Sequence, residues 1–197
     1  SNLLFNYNVS WSTESGDTES SVVSPGINFT NNSYSKAKSG NHELSLQYKT
    51  KLDTLGRTLD ITGYSSMFNR HPMNRSTSFE NNVSSYNNAR IDFDLVNYYL
   101  KYDLAIPFNE LDFSINTGGK YNVTKVNNFG KYNFENLDPN IFNNGQFASA
   151  IDFDYTEETI AFYAEARKKY KKFNFTAGIR FENFDVGREA SVTADKI

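Results

Sequence analysis

The residues of this chain that could do chemistry are charged side chains gathered in two segments near its end. Arg180 and Glu182 alternate with apolar residues, and Glu157 and Glu158 are neighbours in an earlier segment that also holds Glu165. Two carboxylates could serve as the acid and base of a glycosidase only if they flank a bond from opposite sides. Neighbours on one segment do not establish such a pair, and no nucleophile has a recognisable base. We therefore predict that the chain is not an enzyme.

Candidate metal ligands are few. The only histidines, His42 and His71, are isolated from each other, and cysteine is absent. A zinc site needs three or four such ligands, so we interpret both histidines as solvated loop residues. The segment Asp138–Gly145 faintly suggests a calcium loop but has neither the spacing nor the bidentate glutamate. The sequence predicts no metal and no cofactor.

Arg180 and Glu182 belong to a segment, residues 172–184, that alternates strictly. A β-strand places successive side chains on opposite sides, so this pattern gives one apolar and one polar side. The apolar side carries Phe173, Phe175, Ala177, Ile179 and Phe181, and the polar side carries Asn174, Thr176, Gly178, Arg180 and Glu182. Such a strand needs an apolar medium on one side and a wet one on the other, and the apolar medium is either a protein core or lipid.

The composition fits short amphipathic strands joined by polar loops. Aromatic residues reach 16% while all hydrophobic residues reach only 38%, and asparagine takes roughly one position in eight. The net charge of -3 gives no basic footprint for nucleic acid. No apolar run approaches the length of a membrane-spanning helix, and the first residues begin a strand pattern without a signal-peptide core. We interpret the chain as an excised piece of 197 residues, one domain, with any export signal outside it.

Alternation recurs along the rest of the chain. Leu3–Ser12 places five large apolar residues on one side: Leu3, Phe5, Tyr7, Val9 and Trp11. Further strands are predicted over residues 43–53, 59–65, 91–106, 111–123 and 155–170. A strand extension around residues 76–84 is left open, which gives seven or eight strands in all. In residues 91–106 the apolar positions change from odd to even, and a β-bulge near Leu95 and Val96 would reconcile them.

Short and long connections alternate. The turns at 53–57, 107–110 and 170–172 are a few residues each, whereas Thr13–Pro25, Asn69–Asn88 and Asn127–Asp152 are polar and predicted to be long loops. A polar tail is predicted from Gly187. Transmembrane β-barrels have short turns at one end and long loops at the other.

One segment has a serious helical alternative. Residues 156–171 contain good helix formers, a plausible cap at Thr156, and Ile160, Tyr163, Ala164 and Arg167 at helical spacing. As a strand, the same segment places Ile160, Phe162, Ala164 and Ala166 on one side. Both interpretations stand on the residues alone, and the strand is favoured by the resemblance described next.

Three stretches resemble a known family. Leu44–Ser65 contains a Tyr-Lys strand, an Asp-x-x-Gly-Arg turn and a returning strand; Phe93–Lys125 contains a strand, a short turn and a Gly-x-Lys-Tyr return; Phe153–Gly187 ends in an Ala-Gly-Ile-Arg-x-Glu strand. In order and spacing they are similar to the outer-membrane β-barrel domains of TonB-dependent-receptor type. The plug domain of that family is missing, as is a last strand that ends in an aromatic residue.

The resemblance implies an all-β, antiparallel up-and-down transmembrane barrel, of which this chain supplies a segment. The first apolar set (Leu3, Phe5, Tyr7, Val9 and Trp11) and the last (Phe173, Phe175, Ile179 and Phe181) would face lipid, and Asn174, Thr176, Arg180 and Glu182 would face the lumen. Outer-membrane lipid, a plug domain and an energy-transducing inner-membrane protein are the implied partners, with an unidentified solute taken up. Two competing interpretations remain open: a small self-contained barrel that acts as an anchor or adhesin, and a soluble all-β binding module.

Overall fold

The protein is described by a computed structural model that covers residues 1–80, 83–136 and 146–196. Seven long β-strands make one sheet in chain order, each antiparallel to the next. The strands are β1 (Asn2–Ser24), β2 (Ile27–Lys51), β3 (Thr58–Glu80), β4 (Val83–Phe108), β5 (Phe113–Asn136), β6 (Gln146–Tyr170) and β7 (Phe173–Lys196). The predicted all-β, up-and-down fold is confirmed.

The short turns lie where the sequence predicted them, and their chemistry explains why. In the β2–β3 turn, Asp53 Oδ1 accepts hydrogen bonds from the amides of Leu55, at 3.0 Å, and Arg57, at 3.1 Å. Gly56 follows with φ of 93°, a conformation that glycine adopts without a steric cost. Between β4 and β5 the chain makes one 3-10 turn, Asn109–Leu111, and a left-handed Asp112 closes it. These turns define one end of the sheet, called the turn end below.

The three predicted long loops are wrong in the described residues. Residues 13–24 continue β1 and meet β2 through a turn at Pro25 and Gly26; residues 69–80 and 83–88 belong to β3 and β4, and 127–136 and 146–152 to β5 and β6. The predicted polar tail from Gly187 continues β7 to Lys196. A paired strand with serine, threonine and asparagine on both sides is compatible with water on both of its faces. From hydropathy alone, such a strand cannot be distinguished from a loop. Residues 137–145, with the segment considered for calcium, lie outside the described residues.

The predicted bulge and the helical alternative are also wrong. The pairing of β4 with β3 and with β5 keeps one register on both sides of Leu95 and Val96. Ile91, Phe93 and Leu95 therefore lie on the opposite face from Val96 and Leu100. Residues 156–170 lie in β6, paired throughout with β5 and β7.

The register divides every side chain between two faces, named here from their composition at the turn end. The apolar face carries odd residues in β1, β3, β5 and β7 and even residues in β2, β4 and β6. The polar face is the more enclosed. There, side chains two strands apart touch: Arg70 of β3 reaches Glu14 of β1 at 3.1 Å, and the buried Ala37 of β2 lies in the same part of that face.

Candidate functional site

The apolar face carries a continuous band of large side chains at the turn end of the sheet, called the apolar band. It consists of Leu3, Phe5, Tyr7, Val9 and Trp11; Leu44, Leu46 and Tyr48; Leu59, Ile61 and Met67; Val96, Tyr98, Leu100, Tyr102 and Leu104; Ile115, Tyr121 and Val123; Ile160, Phe162 and Ala164; and Phe173, Phe175, Ala177, Ile179 and Phe181. In β1, β4 and β7 it spans nine positions, and roughly 9–11 residues let a tilted strand cross a bilayer.

Most of these side chains are exposed or half-exposed, and Val123 is the buried exception. Trp11 is 72% exposed, Phe173 65% and Ile179 76%. On the described residues only Ala37, Val123 and Ala161 are buried hydrophobics. A soluble β-sandwich would bury the same side chains against a second sheet. The single sheet therefore leaves a far larger apolar surface than the few hundred Å² of a typical soluble monomer.

The limit of the apolar band that lies farther from the turn end is called its upper limit. Its position along the strands shifts from one edge of the sheet to the other. It lies at Trp11 in β1 and at Phe181 in β7, and the register carries Phe181 across the sheet to Leu3, eight positions before Trp11. With about 3.3 Å per residue and about 4.8 Å between strands, this offset over six strand steps makes the strands tilt by about 40° from the normal of a flat layer. Strands of transmembrane barrels tilt by about 35–45°.

Behind the apolar band, the polar face carries a belt of hydrogen-bonded charges, called the polar belt: Gln47, Lys49, Asp60, Thr62, Lys101, Asp103, Asn116, Lys120, Tyr163, Glu165, Arg167, Asn174, Thr176, Arg180 and Glu182. Its ion pairs join Lys49 to Asp60 at 3.2 Å and Lys101 to Asp103 at 2.7 Å, both between the amine Nζ and a carboxylate oxygen. Gln47 Nε2 donates to both oxygens of Asp60, at 3.0 and 2.9 Å. Acidic and basic groups alternate, so the belt has no single-sign field.

A tyrosine braces the belt across a glycine. Tyr163 of β6 donates its hydroxyl to Asp103 Oδ1 of β4 at 2.5 Å, and between them Gly118 of β5 pairs with both residues. A Cβ on Gly118 would lie 2.5 Å from the Tyr102 carbonyl oxygen and 2.5 Å from the Tyr163 ring. On the apolar face, the rings of Tyr102 and Phe162 cover the neighbouring Gly119 in the same way. Aromatic rings therefore cover this glycine pair on both faces of the sheet.

The charged residues singled out from the sequence lie in or beside this belt. Arg180 Nη2 and Glu182 Oε2 pair with each other at 2.8 Å and are exposed on β7. Glu165 accepts from Arg167 Nε at 2.6 Å on the same face. Glu157 lies on the polar face but Glu158 on the apolar face, so the side-by-side carboxylates do not converge on one substrate position.

An open recess of about 410 Å³ lies against the belt. Its lining includes Lys49, Asp60, Asp103, Tyr163 and Glu165. Each charged side chain in this lining already has a partner within the belt. The recess is therefore lined by side chains that are paired with one another. Among the described residues no three His, Asp or Glu side chains come together as metal ligands, and no helix of that part of the chain is long and apolar enough to cross a membrane.

Farther from the turn end the two faces exchange character. The polar face there carries an apolar patch, called the distal patch: Phe68, Pro72, Ile91, Phe93, Leu95, Val126, Ile151, Phe153 and Val192. Phe68 and Phe93 meet edge to face, with ring centroids 6.1 Å apart. The other face carries charges at the same height, among them Lys36, Lys38, Asp94, Lys131 and Asp152.

Both histidines lie in strands, so the prediction that they are loop residues is wrong. His42 Nδ1 of β2 shares a hydrogen bond of 2.9 Å with the Tyr7 hydroxyl, and its ring meets that of Trp11 edge to face with the centroids 5.9 Å apart. His71 of β3 pairs through Nδ1 with Asp92 Oδ1 at 2.9 Å, and Arg90 Nε lies 3.1 Å from the same carboxylate. Burial would raise the pKa of Asp92, but hydrogen bonds from Arg90 and His71 outweigh it and bring the pKa below its ordinary value.

The distal patch and the tyrosine brace were missed because both depend on cross-strand register. Alternation within one strand shows which residues share a face but not which strands lie opposite. The available signal for the patch was the change of apolar positions from odd to even in residues 91–106. This change shows that the apolar residues move from one face of the sheet to the other along a strand that has no bulge.

The chain was compared with known proteins. The sequence profile of the outer membrane protein β-barrel family matches residues 50–196. Comparison with curated proteins gave no match. Among solved structures, the chain is similar to OccK10 (OpdN) of Pseudomonas aeruginosa, with 7% identity, 98% of this chain and 97% of that one covered and a TM-score of 0.15.

Two other solved structures are matched at comparable levels. The KdgM porin in complex with oligogalacturonate has 10% identity, coverage of 95% and 99%, and a TM-score of 0.20. The siderophore receptor PiuA of Acinetobacter baumannii has 8% identity, coverage of 96% of this chain and 44% of that one, and a TM-score of 0.18. The family match spans about three quarters of the chain, in the same meander that carries the tilted apolar band. The chain therefore belongs to the outer membrane protein β-barrel family and resides in the outer membrane.

Proposed function

We propose that this chain is a section of the wall of an outer-membrane barrel that takes up a solute, of TonB-dependent-receptor type. The apolar band contacts lipid, and the polar belt lines the hydrated interior. Phe173, Phe175, Ile179 and Phe181 lie on the lipid side, as do Leu3, Phe5, Tyr7, Val9 and Trp11. Asn174, Thr176, Arg180 and Glu182 lie on the lumen side.

The observation that carries the membrane placement is the slant of the apolar band across the register. A strand pattern made only by local preference would give bands at unrelated heights in different strands. Here the limit of the band shifts by eight positions between β1 and β7, which fits a flat layer crossed at a tilt of about 40°, and the band spans nine positions in each of β1, β4 and β7. The charges on the opposite face support an aqueous interior, because a charge exposed to lipid at the midplane costs about 2–4 kcal/mol.

Solute uptake is supported by the resemblance of Leu44–Ser65, Phe93–Lys125 and Phe153–Gly187 to receptor barrels. Its mechanism in this section is passive: the band seals the wall against lipid, and the paired charges of the belt keep the interior hydrated. A plug domain and an energy-transducing inner-membrane protein would then act on the interior. The role requires no catalytic group from this chain, and the proposal assigns it none.

The membrane placement is tested with single cysteines introduced at Ile179 and at Thr176 in the protein embedded in outer-membrane vesicles. Position 179 should react with a lipid-soluble maleimide and resist a charged one, and position 176 should react with the charged reagent. Ser191, on the apolar face above the band, serves as the water-exposed control. Equal reactivity of positions 179 and 191 toward the charged reagent would rule out the placement.

Energised uptake is tested separately in cells. If the protein belongs to the receptor type, solute accumulation that depends on it stops when a protonophore collapses the inner-membrane potential. Accumulation that continues unchanged would identify a passive channel in place of an energised receptor.

A further inference from the structure

A second open recess lies on the apolar face of the sheet, beyond the upper limit of the apolar band. Its volume is about 560 Å³, within the range of pockets that bind small molecules. The lining includes six polar side chains of β1 to β4 that the register places on this face: Asp17, Glu19, Asn32, Tyr34, Arg75 and Tyr86. The recess against the polar belt lies on the opposite face, so the two are separate, and the proposed solute uptake makes no use of this one.

The register keeps the charges of this recess apart. Asp17 pairs with Tyr34 and Tyr34 pairs with Arg75, so a tyrosine lies between the carboxylate and the guanidinium. The two charged residues are thereby two strand spacings apart, about 10 Å between their backbones. Glu19 lies two residues farther along β1 on the same face and pairs with Asn32. The recess therefore holds both signs of charge without an ion pair between them.

The polar side chains of this recess lack partners, and this distinguishes it from the recess against the polar belt. In the belt, Asp60 is paired with Lys49, and Glu165 is paired with Arg167. Within the described part of the chain, by contrast, none of the six side chains has a hydrogen bond or an ion pair to another residue. Their donors and acceptors are therefore available to a bound molecule.

The mixture of groups selects a class of ligand. A cation would be attracted by Asp17 and Glu19 but repelled by Arg75, and for an anion the signs are reversed. The hydroxyl groups of a neutral polyol can donate to the carboxylates and accept from the guanidinium, and both kinds of hydrogen bond are charge-assisted. The half-buried Tyr34 and Tyr86 add aromatic rings on which a face of C–H groups can pack. A saccharide ring combines hydroxyl groups at its rim with such a C–H face.

We infer that this recess binds a neutral saccharide on the outside of the wall, apart from the transported solute. Asp17 lies six residues beyond Trp11, which at the tilt of about 40° places it about 15 Å above the apolar band. With the band in lipid, as proposed, the recess lies beyond the headgroups, which extend about 5–7 Å from the hydrocarbon. Two sources of saccharide reach that height: the sugar chains of outer-leaflet glycolipids and free oligosaccharides.

The test applies the protein, purified in detergent, to a glycan array that holds neutral, amino and carboxylated oligosaccharides. We expect saturable binding to a subset of the neutral glycans. Tyr34→Ala removes one aromatic ring of the recess and Arg75→Gln removes its guanidinium, and each should weaken that binding about tenfold. Circular dichroism checks that each variant keeps its strand content.

The matched controls are Phe79→Ala for the aromatic ring and Lys36→Gln for the positive charge. Both residues lie on the same face, Phe79 in β3 and Lys36 in β2, and neither lines the recess. Both variants should bind the same glycans as strongly as the original protein. Three results overturn the inference: no binding to any neutral glycan, a preference for amino or carboxylated glycans, or equal losses in the recess variants and the controls.

The source of the saccharide is determined from the glycolipid that the protein retains when it is purified from cells. If the outer leaflet supplies the ligand, core oligosaccharide released from lipopolysaccharide should bind on the array, and Tyr34→Ala should retain less lipopolysaccharide per protein than Phe79→Ala. If the ligand is a free oligosaccharide, other neutral glycans should bind and the two variants should retain equal amounts.

Failure of the membrane placement has a different signature, because binding on the array requires only the recess. In that case the cysteine at position 179 reacts with the charged maleimide while glycan binding persists. Protection of position 179 by lipid without any glycan binding would leave the placement intact and refute only the saccharide site.

Discussion

The same seven strands have opposite faces in their two halves. Near the turn end, β4 directs Leu100 and Tyr102 to the apolar face and Lys101 and Asp103 to the polar face; farther along, it directs Asp92 to the first face and Phe93 to the second. No bulge separates the halves. Alternate side chains of a β-strand match the surroundings of its two faces. Under the proposed placement, the exchange therefore marks the height at which the medium outside the sheet changes from lipid to water.

The exchange also explains why the strands are so long. They have 23 to 26 residues, whereas roughly 9–11 are needed to cross a bilayer. With the apolar band in lipid, as proposed, the distal half would stand outside the membrane, with its charged face in water and the distal patch turned inward. On that placement, contact with lipid would determine the side chains of the first half, and cross-strand packing would stabilise the second. The predictions below separate these two contributions.

The largest difference between the halves is expected for a charge placed on the apolar face. Leu100→Arg lies at the centre of the band in β4, where its side chain is 58% exposed, and should lower the free energy of unfolding by about 2–4 kcal/mol in vesicles. Thr77→Arg lies on the same face of the neighbouring strand β3 but in the distal half, and should change it by less than about 0.5 kcal/mol. Urea titration of the refolded protein measures both. Equal losses would mean that the two halves share one medium.

A smaller effect is expected where the polar belt is packed most tightly. Gly118→Ala places a Cβ 2.5 Å from the fixed Tyr102 carbonyl oxygen and should cost about 1–3 kcal/mol, the usual range for overpacking. Gly63→Ala is the matched control in a neighbouring part of the sheet, since a Cβ there meets nothing within 4 Å. If Gly63→Ala is as harmful as Gly118→Ala, the loss follows from replacing any glycine of the sheet, and close packing against the tyrosine brace is not its cause.

The parts of the fold that could and could not be predicted from the sequence correspond to these two halves of the strands. Segments such as Leu3–Ser12 and residues 172–184 could be assigned because their alternate residues differ strongly in polarity, as a strand between an apolar and a wet medium requires. Residues 13–24 could not, because Ser, Thr, Asp and Gly on both sides resemble a loop and only their pairing with β2 reveals the strand. The brace from Tyr163 to Asp103 was equally hidden, because residues 60 positions apart meet only once β5 lies between them.

A modest loss is expected in the distal patch. Phe93→Ala removes the edge-to-face contact with Phe68 and part of the patch, and should cost about 1 kcal/mol. Phe79→Ala removes the same kind of side chain from β3, on the face of the sheet opposite the distal patch. Phe79 is 42% exposed there, and no ring contact with it is found among the described residues. That variant should be nearly neutral. The comparison requires water outside the wall, so a reversed order of stability would place the distal half in lipid.

The smallest expected effect concerns the ion cluster on the outer face of the distal half. The pKa of Asp92 lies below its ordinary value because Arg90 and His71 donate to its carboxylate. A carboxyl with a lowered folded-state pKa stabilises the protein above its unfolded pKa, and that stabilisation is lost as pH falls through the folded value. Asp92→Asn should therefore flatten the loss of stability on acidification below about pH 4 and lower stability slightly at neutral pH. Asp94→Asn is the control. Asp94 lies two residues farther along β4 on the same face, and no ion pair to its carboxylate is found among the described residues. If both variants keep the acid-dependent slope of the original protein, the cluster makes no contribution to the stability of the wall outside the membrane.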